Sequence, residues 1–147
     1  MKISRMRLGE LAVLIGAACV IAALTMRWYE APSGNLSAWD TFGPAVVLLM
    51  LAALAGLILV LTTVTERSTA LPVAAAVWST LFGIVGVIAA LVRLLERPED
   101  ASALCAGAWL AFVGALLIAG GSWQSMRDER TSRYPPATPE PRKPRSV

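Results

Sequence analysis

Four long stretches without Asp, Glu, Lys or Arg constrain this chain more than anything else in it: Leu11–Met26, Phe42–Val64, Ala70–Val92 and Ala101–Met126. About 20 apolar residues in an α-helix cross a hydrocarbon layer of about 30 Å. The last three runs reach that length, and the first does so once Leu8 and Gly9 are added. Inside lipid every backbone N–H and C=O needs a partner within the segment, so each run is expected to be a helix. Charged residues make up 16% of the chain, against about 25% in soluble domains. The expected fold class is all-α: an integral membrane four-helix bundle, up-down-up-down, in one domain over residues 1–126. Its helices are expected at about 8–28, 42–64, 70–95 and 101–126, with no β-sheet.

Basic residues flank the runs unevenly. Lys2, Arg5, Arg7, Arg67, Arg127, Arg130, Arg133, Arg142, Lys143 and Arg145 fall on one side of such a bundle, and only Arg27, Arg93 and Arg97 on the other. Positive flanks stay in the cytoplasm, which predicts a multi-pass protein of the cell membrane with both termini cytoplasmic. The start, Lys2-Ile-Ser-Arg-Met-Arg7 before an apolar stretch, also has the outline of a signal peptide. However, the apolar run continues past Cys19 to Met26, and a retained first helix is the expectation.

The connections differ in kind. Residues 27–41 form the longest loop, on the outer side, with the turn formers Pro32, Ser33, Gly34 and Asn35; Ser37 or Asp40 can cap the second helix. The link Glu66–Thr69 is short enough to make the second and third helices antiparallel neighbours, and Glu99 and Asp100 suit the N-terminus of the fourth. Beyond Arg127 the chain is basic and interrupted by Pro135, Pro136, Pro139, Pro141 and Pro144. Residues 127–147 are expected to be a disordered cytoplasmic tail that either meets anionic lipid headgroups or only enforces topology. Arg27-x-x-Glu30-x-Pro32 and Arg93-x-x-Glu96-x-Pro98 share a pattern. It reflects either duplicated hairpins or a convenient Arg–Glu spacing before a helix-ending proline.

Ala103, Gly107, Ala111, Ala115 and Ala119 recur every four residues along the fourth run. Small side chains let helix backbones approach closely in lipid, so this row is the candidate packing face, within the bundle or toward a second copy or membrane-protein partner. Trp28, Tyr29 and Trp39 mark the outer boundary and Trp123 the inner one, as interfacial aromatics do. Counted from Ala70 and Ala101, Trp78 and Trp109 lie about two turns into their helices, where their N–H groups need partners or shallow placement. The outer loop offers Arg27, Trp28, Tyr29, Glu30, Trp39 and Asp40 as a candidate recognition surface, with membrane anchoring as the simpler role.

No histidine occurs, which removes the commonest general base and metal ligand. Cys19 and Cys105 are single residues in apolar runs, more like small hydrophobes than redox partners. Proton relays place carboxylates inside the membrane; Glu10, about two residues into the first span, is expected at the interface. The basic residues form no groove or aromatic-interleaved patch for nucleic acid. No catalytic residue, cofactor or metal site is proposed from these residues. The layout of a short basic start, a Trp-containing first outer loop, four Ala/Leu-rich helices and an Arg/Pro-rich tail resembles small four-span membrane proteins, without assigned activity, of high-GC Gram-positive bacteria. The expected function is non-enzymatic: an interaction or scaffold subunit of the cell membrane. A small oligomeric transporter or permeation subunit is the alternative, and a membrane enzyme stands third.

Overall fold

The computed structural model describes residues 8–32, 34–41, 43–65, 70–96 and 103–130. Four long helices carry the fold: α1 (Leu8–Thr25), α3 (Pro44–Thr65), α4 (Ala70–Leu95) and α5 (Ala106–Arg130). Each is long and apolar enough to cross a membrane. Between α1 and α3 lie β1 (Arg27–Ala31), β2 (Gly34–Ser37) and the single turn α2 (Ala38–Thr41); β3 (Ala103–Leu104) precedes α5. Pro44 opens α3 at the first helical position, where its missing N–H costs nothing. Pro72 is tolerated for the same reason, within the first turn of α4.

The expectation of no β-sheet is corrected. The three strands form one antiparallel sheet in the order β2-β1-β3, which caps the bundle at the end of α1 and the start of α5. α1 stops at Thr25 rather than residue 28 because Arg27–Ala31 becomes a strand. α5 starts at Ala106 rather than 101 because Ala103 and Leu104 pair with β1. It continues to Arg130, so the first residues of the expected tail are helical; 131–147 lie outside the described residues. At the turn of the β1–β2 hairpin, Gly34, at φ +127°, takes a backbone conformation that L side chains rarely adopt.

Small residues fill the interior and large ones cover the outside. Ala17, Ala23, Ala52, Ala76, Ala90, Ala108, Ala111 and Ala115 are fully buried. Leu54, Leu61, Val77, Ile88 and Trp109 are each at least half exposed. Less than half of each span is covered by the rest of the protein. In water this arrangement would leave apolar patches far larger than the few hundred Å² a soluble monomer exposes. In lipid it is the expected one, since tight backbone packing replaces hydrophobic burial as the force between helices.

The tightest contact joins α1 to α5. A Cβ built on Gly16 would lie 2.6 Å from the Gly114 carbonyl oxygen, and one on Gly121 would lie 2.5 Å from that of Gly9. Gly9 and Gly16 are thus matched, in opposite chain directions, with Gly121 and Gly114. A seven-residue spacing returns to nearly the same helix face, so the two glycines of each helix bring its backbone against the other at two successive levels. α4 meets α5 through Gly83 against Ala119 and Gly86 against Ala115.

Candidate functional site

The cap is the most elaborated part of the molecule, and a β-bulge organises it. In β1, Arg27 pairs with Ser37 and Tyr29 with Leu36, so Trp28 is an extra residue with no opposite number. A bulge breaks the in-out alternation of a strand. Trp28 and Tyr29 are accordingly both fully buried, while Arg27 and Glu30 on either side are exposed.

The buried pair ties the cap to the helices. The Trp28 indole N–H donates to the Ala23 carbonyl near the end of α1 at 2.7 Å. The Tyr29 hydroxyl donates to the Arg93 carbonyl of α4, also at 2.7 Å. The Trp28 carbonyl accepts the Cys105 N–H at 2.8 Å, just before α5. Gly107 makes room for this arrangement, since a Cβ there would lie 2.6 Å from the Arg27 carbonyl oxygen and 2.9 Å from the Trp28 ring. The candidate recognition set is therefore divided. Trp28 and Tyr29 are internal anchors, not surface groups, because their polar tips find carbonyls at helix ends.

The other four are exposed in two places. Arg27 and Glu30 line a cleft of about 510 Å³ between the end of α1, β1 and the start of α5, with Thr25, Met26, Leu104 and Cys105. Trp39, 60% exposed, and Asp40 lie on α2, beyond the opposite edge of the sheet. Asp40 accepts two hydrogen bonds from Ser37, from the hydroxyl at 2.7 Å and from the backbone N–H at 2.9 Å. These bonds, the hydroxyl's first, hold its carboxyl below the ordinary carboxylate value. Ser37 and Asp40 thus meet at the start of the short α2, not of α3, with the Asp40 carboxylate accepting both the N–H and the hydroxyl of Ser37.

Comparison with family models, with curated proteins and with solved structures finds no match to this chain.

The candidate packing row is also divided. Ala103 lies in β3 and pairs with Glu30, and Gly107 meets β1. Ala111 and Ala115 are fully buried, and Ala119 abuts Gly83. The row therefore works inside the protein, from the cap down to α4. The glycines matched between α1 and α5 lie outside that row; their signal is the shared seven-residue spacing. The Arg-x-x-Glu-x-Pro pattern is a strand at Arg27–Ala31 and a helix end at Arg93–Leu95. The two copies have different structures and meet through the Tyr29–Arg93 bond.

A second set of polar groups lies at the opposite end. Ser79 of α4 and Ser122 of α5, both fully buried, share a hydrogen bond of 2.6 Å. One turn further along α5, Ser125 donates to Glu10 at 3.4 Å. Glu10 is only 3% exposed. The sequence places it near the start of the first helix, as expected, but the helix turns it inward between α1 and α5. The Ser79–Ser122 bond also sets Trp78 level with Trp123, both exposed. Trp109, counted from Ala106, falls in the first turn of α5 and not two turns deep. Trp109 and Trp123 are separated by about 21 Å of helix, one near each end. Among the described residues no three Cys, Asp or Glu side chains gather as a metal site; Cys19 and Cys105 are unpaired and half-buried.

Proposed function

We propose that this chain is a four-pass protein of the cell membrane that acts without catalysis, as an interaction or scaffold subunit presenting a rigid cap outside the cell. Its helices run up-down-up-down and both termini are cytoplasmic, the orientation favoured by the basic flanks. One observation carries the reading: a bulged strand buries Trp28 and Tyr29 against three helices while its charged neighbours face out. Loops usually move, and a loop held by three hydrogen bonds to helix ends suits the presentation of a fixed surface. The exposed partner-facing groups are Arg27, Glu30, Trp39 and Asp40. The test places a photo-crosslinking residue at Trp39 in the full-length protein in cells. Mass spectrometry should find a defined protein partner, lost on Arg27→Ala plus Glu30→Ala. Labelling of lipid alone would refute an interaction subunit.

A transporter or permeation subunit is the second reading, favoured by the buried Glu10, Ser125, Ser122 and Ser79, since ionisable groups inside bundles mark ion or proton paths. Proton or cation flux in proteoliposomes that Glu10→Gln abolishes would select it over the first. Against it stand the close backbone contacts between α1 and α5 at Gly9–Gly121 and Gly16–Gly114.

A further inference from the structure

α3 is held differently from the other long helices. α1 and α5 meet backbone to backbone at Gly9–Gly121 and Gly16–Gly114, and a Cβ on Gly83 of α4 would lie 2.8 Å from the Ala119 backbone nitrogen of α5. At α3 the corresponding contacts are with side chains. A Cβ on Gly56 would meet Val13 Cγ1 at 3.0 Å, and one on Gly86 of α4 would meet the Ala52 methyl at 3.2 Å. Hydrogen bonds divide the molecule in the same way. They join α4 to α5 at Ser79–Ser122, α5 to α1 at Ser125–Glu10, and the cap to Ala23, Arg93 and Cys105. The polar side chains of α3 are Thr62, Thr63 and Thr65, and each donates back to a carbonyl of its own helix, Leu59 or Leu61. Where α3 leaves the cap, Gly43 is exposed at φ +39°, and a Cβ there would meet nothing within 4 Å. Alongside α3 runs a groove of about 370 Å³, lined by Leu51, Leu54 and Ile58 on one side and by Ala75, Trp78 and Phe82 of α4 on the other.

We propose that α3 is the moving part of this molecule, a helix that pivots at Gly43 against a fixed unit of α1, α4, α5 and the cap. The proposal goes beyond the presentation of a rigid cap and holds whichever partner the cap meets. Main-chain atoms in contact have no rotamer to yield, whereas packed side chains let one helix slide past another. The side-chain contacts of α3 are therefore the ones that permit displacement. A left-handed glycine without packed neighbours is free to change its dihedrals, as hinge residues do. The groove gives α3 room to tilt on its α4 side. Ile58 lies about 22 Å along α3 from Gly43 and Val47 about 6 Å, so a rigid swing carries Ile58 about fourfold further. Val13, Leu59 and Ala76 are fully buried together beside the far part of α3, and the swing would uncover them. The bundle would thus open on one side while the cap and the α1–α5 seam stay shut.

The test is pulsed electron paramagnetic resonance on the full-length protein in nanodiscs of phosphatidylcholine and phosphatidylglycerol. Spin labels are carried by pairs of introduced cysteines in a Cys19→Ala, Cys105→Ser background. Ile58→Cys with Leu116→Cys reads the far part of α3, and Val47→Cys with Val113→Cys reads the part near the pivot. Ile15→Cys with Ile84→Cys reads the fixed unit. All six positions are exposed, and unchanged circular dichroism and melting show that the fold persists. Leu61→Cys, also exposed, replaces Ile58→Cys as the far label if that variant melts early. Beyond the width of the fixed pair, the distance distribution of the Ile58 pair should be broadened about fourfold more than that of the Val47 pair, in the ratio of the lever arms. Equal widths in all three pairs overturn the mobility of α3. Equal broadening at Val47 and Ile58 overturns the pivot at Gly43, and a fixed pair as broad as the Ile58 pair overturns the fixed unit.

Discussion

Two adjacent glycines on one helix face opposite circumstances, and the same substitution should have opposite signs at the two. A Cβ at Gly121 would lie 2.5 Å from the Gly9 carbonyl oxygen and 3.0 Å from the Val13 backbone nitrogen. Val13 Cγ2 would lie 2.9 Å away as well, but even if that side chain moves, the two main-chain atoms of α1 cannot swing aside. Restoring an ordinary contact would part the two backbones by nearly an ångström, loosening the Gly16–Gly114 contact and lengthening the 3.4 Å Ser125–Glu10 bond. Overpacking of this kind costs about 1–3 kcal/mol. At Gly120, by contrast, an added methyl meets nothing within 4 Å, and only the helical preference for alanine over glycine remains, about 0.5–1 kcal/mol in favour of the variant. That preference is common to both positions and cancels in the comparison. Gly121→Ala should therefore be less stable than Gly120→Ala by about 1–3 kcal/mol, with Gly120→Ala at least as stable as wild type. The assay is reversible unfolding in mixed detergent micelles followed by tryptophan fluorescence. Equal stabilities, or a more stable Gly121→Ala, would refute the close approach of α1 and α5.

Three further outcomes depend on named contacts. Tyr29→Phe removes the hydroxyl that reaches the Arg93 carbonyl and should cost about 0.5–1.5 kcal/mol, with faster hydrogen exchange across β1 in the variant. A double-mutant cycle on Ser79→Ala and Ser122→Ala should give a coupling of about 0.6 kcal/mol, the average for hydrogen bonds between membrane helices; zero coupling would mean that the 2.6 Å bond adds nothing. Asp40 has its pKa lowered in the folded chain, first by the Ser37 hydroxyl and then by its N–H. Its contribution is present above the unfolded value of about 3.9 and is lost as pH falls through the lower folded value. Hydrogen exchange at Ser37 should accelerate in that acid range, and Asp40→Asn should remove that part of the pH dependence.

The long helices were legible in the sequence because their cause is local. Runs without charge, of a length matched to a bilayer, admit little but helix, and α4 follows the expected 70–95. The every-fourth-residue row of α5 likewise showed which positions need to be small, since Ala111 and Ala115 are buried whatever their partner. Tertiary structure alone decided the cap. β3 is two residues long and joins β1 from more than seventy residues away, a pairing with no periodic trace of its own. The hairpin half was readable in principle, because Pro32, Ser33 and Gly34 sit between short segments able to pair. The burial of Trp28 and Tyr29 side by side was not, because a bulge suspends the alternation by which strand faces are read. Their aromatic rings suggested an exposed surface; the carbonyls of Ala23 and Arg93 turned them into anchors. Glu10 shows the same division: its place along the helix comes from counting residues, but its rotation toward Ser125 comes from Gly9 and Gly16 drawing α1 against α5. Local sequence determines where along a helix a residue lies, and close packing between distant segments decides what it faces.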